Sequence, residues 1–154
     1  MYYNKIILCY NKQFVRGKNM QGIDHIGIAV KSIDEALPFY TNILQFKHVG
    51  TEIVESQKVK VAFINAINCK IELLEPTDEK SPIHKFLQKR GEGIHHIALT
   101  SKDIEGNITY LKEENIQLID ESPRIGAGGA LVSFLHPKSC RGVLYELCQH
   151  KEDE

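Results

Sequence analysis

An α+β fold of two tandem βαβββ modules is the expectation raised by this chain's residue pattern, and two observations carry it. The first is a recurrence: Ile23-Asp24-His25-Ile26-Gly27-Ile28-Ala29 is echoed by Ile94-His95-His96-Ile97-Ala98-Leu99-Thr100, with His96 lying 71 residues after His25. The second is a matched acid downstream of each, Glu72 in Ile71-Glu72-Leu73 and Glu146 in Tyr145-Glu146-Leu147, 74 residues apart. Between and around these marks the apolar spacing follows the same order in both halves, first strand-like, then helical, then strand-like three times.

In the first half, residues 22–30 alternate and are rich in Ile and Val, as in a half-buried strand. Ser32 is placed to cap a helix, with Glu35 as its capping-box partner. Ile33, Leu37, Tyr40 and Leu44 continue at helical spacing, with Pro38 interrupting. Strands follow at 46–54, 59–64 and 70–74, with a turn at 65–68. A connector then carries a short helix over 82–89, capped by Ser81 and with Pro82 at its first position. Gly91-Glu92-Gly93 breaks the chain before the second half.

There, 94–100 reads as a strand and 104–114 as a helix, with Asp103 as cap and Ile104, Ile108 and Leu111 on one face. Strands are expected at 117–121, 130–135 and 142–147. Each module has one apolar sheet face to cover, and pairing the two modules covers both. The resulting division is an extension over 1–19, then one domain over 20–150. Within the domain, repeat one spans 22–76, a connector 77–91 and repeat two 92–150. The first 19 residues read either as a dispensable extension or as sequence preceding a true start at Met20.

Composition narrows the function classes. The chain has 154 residues, 42% hydrophobic and 25% charged, ordinary for a globular domain able to bury a core without disulfides. A net charge of −1 and scattered basic residues argue against a nucleic-acid partner. Apolar runs are too short to cross a membrane. Cys9, Cys69, Cys140 and Cys148 form no close pair, so free thiols in a reducing, cytoplasmic setting are expected, and zinc held by cysteine is not.

Either histidine alone would read as an ordinary core residue. The two together, each followed by an acid inside an apolar run, make a ligand set for one divalent cation: His25, Glu72, His96 and Glu146. Such a set suits Co²⁺, Mn²⁺, Ni²⁺, Fe²⁺, Zn²⁺ or Mg²⁺, with positions left for water or substrate. Strand alternation separates neighbours, so His95 is expected to point away from His96. Gly126-Ala127-Gly128-Gly129 is either a mobile hairpin loop or a place where backbone amides meet a ligand anion. Lys138 is a candidate for pairing with a substrate anion, as are Arg124 and Arg141, against the simpler reading of solvated side chains. His48, His84 and His150 read as surface residues.

The doubled module with His and Glu in each half resembles the vicinal oxygen chelate (glyoxalase-like) superfamily and, within it, the methylmalonyl-CoA epimerase family. The resemblance rests on Ile23 to Val30, Ile71-Glu72-Leu73-Leu74-Glu75-Pro76, Ser81-Pro82-Ile83 with Phe86-Leu87, and Gly91-Glu92-Gly93-Ile94-His95-His96-Ile97. It continues through Arg124-Ile125-Gly126-Ala127-Gly128-Gly129, Phe134-Leu135-His136-Pro137-Lys138-Ser139 and Gly142 to Leu147. It implies one curved mixed sheet around a metal site, a homodimer and an acyl-CoA substrate. It also implies metal-dependent epimerisation at C2 of methylmalonyl-CoA through an enolate. His25, Glu72, His96 and Glu146 take the family's ligand positions, and some members carry Gln at that of Glu72. Glu146 also takes the place of one proton-transfer base. The position of a second, proposed base is Val61 here, leaving Glu52, Glu55 or a metal-bound water as substitutes. A glyoxalase I-like lyase or a non-catalytic ligand binder of the same fold are the alternatives.

Overall fold

The computed structural model describes residues 20–151, so the expected extension over 1–19 lies outside the described residues. The elements are β1 (Ile23–Ala29), α1 (Ile33–Pro38), β2 (Lys47–Val54), β3 (Val59–Asn65), β4 (Lys70–Pro76), α2 (Pro82–Arg90), β5 (Gly93–Thr100), α3 (Ile104–Glu113), β6 (Arg124–Ile125), β7 (Leu131–Leu135) and β8 (Tyr145–Gln149). The strands form one curled, mixed, eight-stranded sheet in the order β2-β3-β4-β1-β5-β8-β7-β6. The order reads the same from either edge toward the centre, as a duplication requires. Each module pairs its first strand parallel to its last, β1 with β4 and β5 with β8, and the modules join where β1 runs antiparallel to β5.

Alternation assigns the two faces. Ile64 and Leu73 turn to the convex side and pack under α1 with Ile33 and Val30, while Leu135 and Leu147 pack under α3 with Ile104, Ile108 and Leu111. Buried side chains of this size each stabilise the fold by about 1.5–3 kcal/mol. The concave side carries Ala29, Val59, Val61 and Leu74, closed at one end by Ile83, Phe86 and Leu87 of α2. Among the described residues no helix is long and apolar enough to cross a membrane.

The duplication extends to the helix starts. Ser32 accepts from the Glu35 amide and Asp103 from the Gly106 amide. The next free amide in each helix is taken by a side chain from its module's last strand: Ile33 donates to Glu75 at 2.6 Å and Ile104 to Gln149 at 2.7 Å. These bonds tie helix to sheet and satisfy donors that a helix leaves open.

Two expectations need correction. The helix expected through Leu44 ends at Pro38 and widens into a π-helical turn over Phe39–Ile43, with the Leu44 amide reaching back to the Phe39 carbonyl at 3.0 Å. Proline has no amide to donate, and the register slips by one residue beyond it. The strand expected at 117–121 is reduced to a single bridge, Leu118 to Leu135. Ile119 donates to the Phe134 carbonyl, but the next donor, the Phe134 amide, is taken by the Asp120 side chain at 3.0 Å. That substitution ends the ladder, and the sheet edge is formed instead by Arg124–Ile125 after Pro123.

Candidate metal centre

The modules meet at the pair Ile26–Ile97, which marks the local twofold. One step to either side, His25 faces Ala98 and His96 faces Gly27. Each histidine therefore lies opposite a small residue that leaves room for its ring. A β-carbon built on Gly27 would stand 2.8 Å from His96 Nε2. Gly27→Ala is accordingly expected to displace the His96 ring and weaken divalent-cation binding about 10–100-fold, the range found when groups holding a ligand histidine are altered. Calorimetric titration with Mn²⁺ or Co²⁺ measures this, and an unchanged affinity would contradict it.

His25 Nε2 and His96 Nε2 are 3.1 Å apart. Glu72 reaches them from β4 and Glu146 from β8, on opposite sides of the central pair. Glu72 Oε2 lies 3.5 Å and Glu146 Oε1 3.7 Å from His25 Nε2, and Glu146 Oε2 lies 3.6 Å from His96 Nε2. All four side chains are buried. The four sequence-predicted side chains thus gather around His25 Nε2. A cation about 2.0–2.2 Å from each atom would produce separations of this size. Lone pairs and carboxylate oxygens face one another there, a donor set suited to a divalent ion.

The residue before each histidine completes its orientation. The β1–β5 register slips at Asp24 on one strand and at His95 on the other, so each is the extra residue of a β-bulge. Alternation is broken there. His95, expected to point away, instead lines the same cavity as His96, with their Nδ1 atoms 3.0 Å apart. Asp24 Oδ1 accepts from His25 Nδ1 at 2.8 Å, which leaves the Nε2 lone pair of His25 directed at the centre. The matching contact pairs His96 Nδ1 with His95 Nδ1, and donation from His96 would leave its Nε2 lone pair for the centre. Asp24 Oδ2 also bonds His150 Nε2 at 2.8 Å, so His150 is half-exposed but partnered.

The electrostatics fit an acceptor-rich cation cradle. Burial pushes the Glu146 carboxyl up to about 8 and raises Glu72 in the same direction. Burial lowers His95 to about 4 and His96 well below its usual value. For His25 burial acts downward, but the Asp24 hydrogen bond and the Glu72 and Glu146 charges outweigh it, and its pKa is raised. Burial opposes ionisation of Asp24, yet the bond to His25 and the charges of His150 and Lys70 hold it at about 2.

A pH dependence follows for the metal-free protein. Glu146 keeps its proton up to about pH 8 when folded but loses it near 4.5 when unfolded, so its contribution is complete below 4.5 and is lost as pH rises through about 8. Toward the upper part of the interval between pH 6.5 and about 8 the lowered imidazoles become neutral in both states and cease to offset this. Stability should fall there by up to about 1.4 kcal/mol per pH unit for one proton. Thermal unfolding with a chelator present tests it; a melting temperature that rises across that interval would refute it.

A cavity of about 730 Å³ opens above the centre. Its walls are mostly apolar, including Val59, Val61, Leu74, Ile83, Val132 and Phe134, and Lys58, Lys80 and Arg124 also reach it. Arg124 bonds Asp120 at 3.2 Å and lies over the Phe134 ring. Lys138 stands exposed on the turn Pro137–Ser139, and neither it nor Arg141 is among the residues lining the cavity. In the glycine loop, the Gly128 amide is occupied by Glu52 Oε1 at 2.6 Å, an internal carboxylate where a ligand anion was one expectation. Glu52 faces Val61 across β2 and β3, on the concave side.

The fold and sequence are shared with known proteins. Residues 24–134 match the model of the Glyoxalase/Bleomycin resistance protein/Dioxygenase superfamily. The chain is 46% identical to the uncharacterised protein YqjC of Bacillus subtilis, over 88% of this chain and 96% of that one. It is 41% identical to the mitochondrial methylmalonyl-CoA epimerase of Homo sapiens, over 85% of this chain and 75% of that one. It is similar to the structure of a single-residue variant of Streptomyces coelicolor methylmalonyl-CoA epimerase in complex with 2-nitronate-propionyl-CoA. That match has a TM-score of 0.83 and 36% identity, over 88% of this chain and 99% of that one.

Proposed function

The chain belongs to the Glyoxalase/Bleomycin resistance protein/Dioxygenase superfamily, and on that premise we propose that it epimerises methylmalonyl-CoA at C2, removing and returning the proton alpha to the thioester carbonyl. The observation that carries this reading is the convergence of His25, Glu72, His96 and Glu146 at the floor of an apolar cavity. The relatives named above as epimerases support the substrate class. A homodimer in the cytoplasm belongs to the same reading, and the described cysteines, Cys69, Cys140 and Cys148, are free thiols as that compartment requires.

His25, Glu72, His96 and Glu146 would hold the cation. Its identity lies within the series Co²⁺, Mn²⁺, Mg²⁺, Zn²⁺ and Ni²⁺. Bound there, a divalent cation supplies positive charge against the negative charge that develops on the thioester oxygen.

The remaining work falls to the chain's own residues. The apolar walls exclude water from the reacting carbon, and the rigid central strands fix the carboxylates beside it. Glu146 removes or returns the proton on one face. For the opposite face we assign Glu52. It occupies the concave side directly across from Val61, and Val54, two residues on, lines the cavity. Its carboxylate is held by the Gly128 amide, which ties the two modules together. Glu55 is less suited, since it sits exposed on the turn Glu55–Gln57 beyond the strand. Lys80, with Lys58 paired to Asp78 and Arg124 paired to Asp120, supplies basic groups at the cavity wall for an anionic acyl-CoA.

Deuterium washing tests the proposal. Incubating one epimer of methylmalonyl-CoA in D₂O with the metal-loaded protein should place deuterium at C2 and form the other epimer. A glutathione hemithioacetal should not be converted. Conversion of the hemithioacetal without exchange at C2 would assign the protein to lyase chemistry instead.

A further inference from the structure

Beside the candidate centre lies a second convergence of metal-binding groups. Asp24, Cys148 and His150 bring a carboxylate oxygen, a thiol and an imidazole nitrogen within 4.8 Å of one another. His150 Nε2 is 2.8 Å from Asp24 Oδ2 and 3.6 Å from Cys148 Sγ. The group is built by ordinary sheet geometry. Cys148 and His150 are two residues apart along the end of β8 and share a face. The bulge in β1 turns Asp24 toward them. Cys148 is buried while His150 is half-exposed, so an ion has an approach from solvent.

We propose that Asp24, Cys148 and His150 form a second cation site, selective for thiophilic divalent ions of the zinc, cobalt and cadmium type. One oxygen, one nitrogen and one sulfur ligand, with a coordination position left open, suit such ions and disfavour Mg²⁺ and Ca²⁺, which take oxygen. On binding, the thiol proton leaves to solvent, the sulfur becomes a thiolate ligand, and His150 Nε2 exchanges its bond to Asp24 for one to the ion. Asp24 Oδ1 remains on His25. The two sites are therefore adjoining, through Asp24 and also through Cys148, whose thiol lies within 4.8 Å of ligand atoms of His25 and Glu146, and occupancy of the outer one is felt by ligands of the inner one. The absence of a close cysteine pair does not exclude zinc-type chemistry here, because one cysteine suffices when an aspartate and a histidine complete the set.

The test is a Co²⁺ titration of the full-length, metal-free protein, with bound metal counted by atomic emission and the near-ultraviolet thiolate-to-cobalt charge-transfer band followed. Wild type should bind two equivalents and develop the band. Cys148→Ser should bind one and show no band, and His150→Ala, at a half-exposed position, should also lose it. His96→Ala should keep the band while losing the inner equivalent, so failure of the inner site is read separately. Saturation of wild type at one equivalent without the band, a band that persists in Cys148→Ser, or a band that persists in His150→Ala, which would place the thiolate on the inner ion with His25 and Glu146, would overturn the proposal.

Discussion

Glu146→Gln is expected to lower epimerisation by about 10²–10⁴-fold, the usual contribution of a general acid–base group, while cation content stays near that of wild type. Glutamine retains the carbonyl oxygen that can serve as a ligand but cannot accept the proton from C2. Position 146 lies on β8, held parallel to β5 with Ala98 opposite, so the shape of the site is preserved. Glu52→Gln should produce a loss of similar size with a different signature. Each variant keeps the base for one face of the substrate, so each should still exchange the proton of one epimer in D₂O while failing to invert it. The epimer that exchanges should be opposite in the two variants. If Glu52→Gln inverts both epimers at the wild-type rate, Glu52 has no part in the chemistry.

Removal of the cation is expected to have the other large effect. Chelation should abolish exchange at C2 to the limit of detection, and Co²⁺ or Mn²⁺ should restore it. His96→Ala should lose activity by at least about 100-fold, with less bound metal at equal metal concentration, and added metal should restore little of it. The reason is positional. His96 sits opposite Gly27, which has no side chain to take the place of its ring as a ligand. Activity that survives exhaustive chelation, or a His96→Ala protein with full turnover, would remove the basis of the proposed mechanism. Either result would leave the superfamily assignment standing.

The duplication and the positions of the four convergent side chains were legible because both are local periodic signals. A histidine at one place in an alternating strand and a glutamate in a later one fall on a common face whenever two such units pair back to back. The small residues two positions after each histidine, Gly27 and Ala98, belong to the same signal. So do the caps at Ser32 and Asp103, which the structure retains. The edge strand of the second module was misplaced for a physical reason. The segment over 117–121 carries strand-like spacing, but the Asp120 side chain takes a backbone donor that continued pairing would need. Spacing of apolar residues does not reveal such competition.

From the order of residues alone follow two copies of one module, their strand periods and an acceptor-rich quartet facing inward. Long-range pairing added the rest. Asp24 and His95 turn inward because the register between β1 and β5 slips at each of them, and a bulge depends on both strands at once. Glu52 meets Gly128 across 76 positions of chain, and His150 meets Asp24 across 126. Local propensity carries no information at such separations. Those contacts exist because the closed hydrophobic faces of two modules hold the strand ends together, and that closure is a property of the packed sheet rather than of any segment within it.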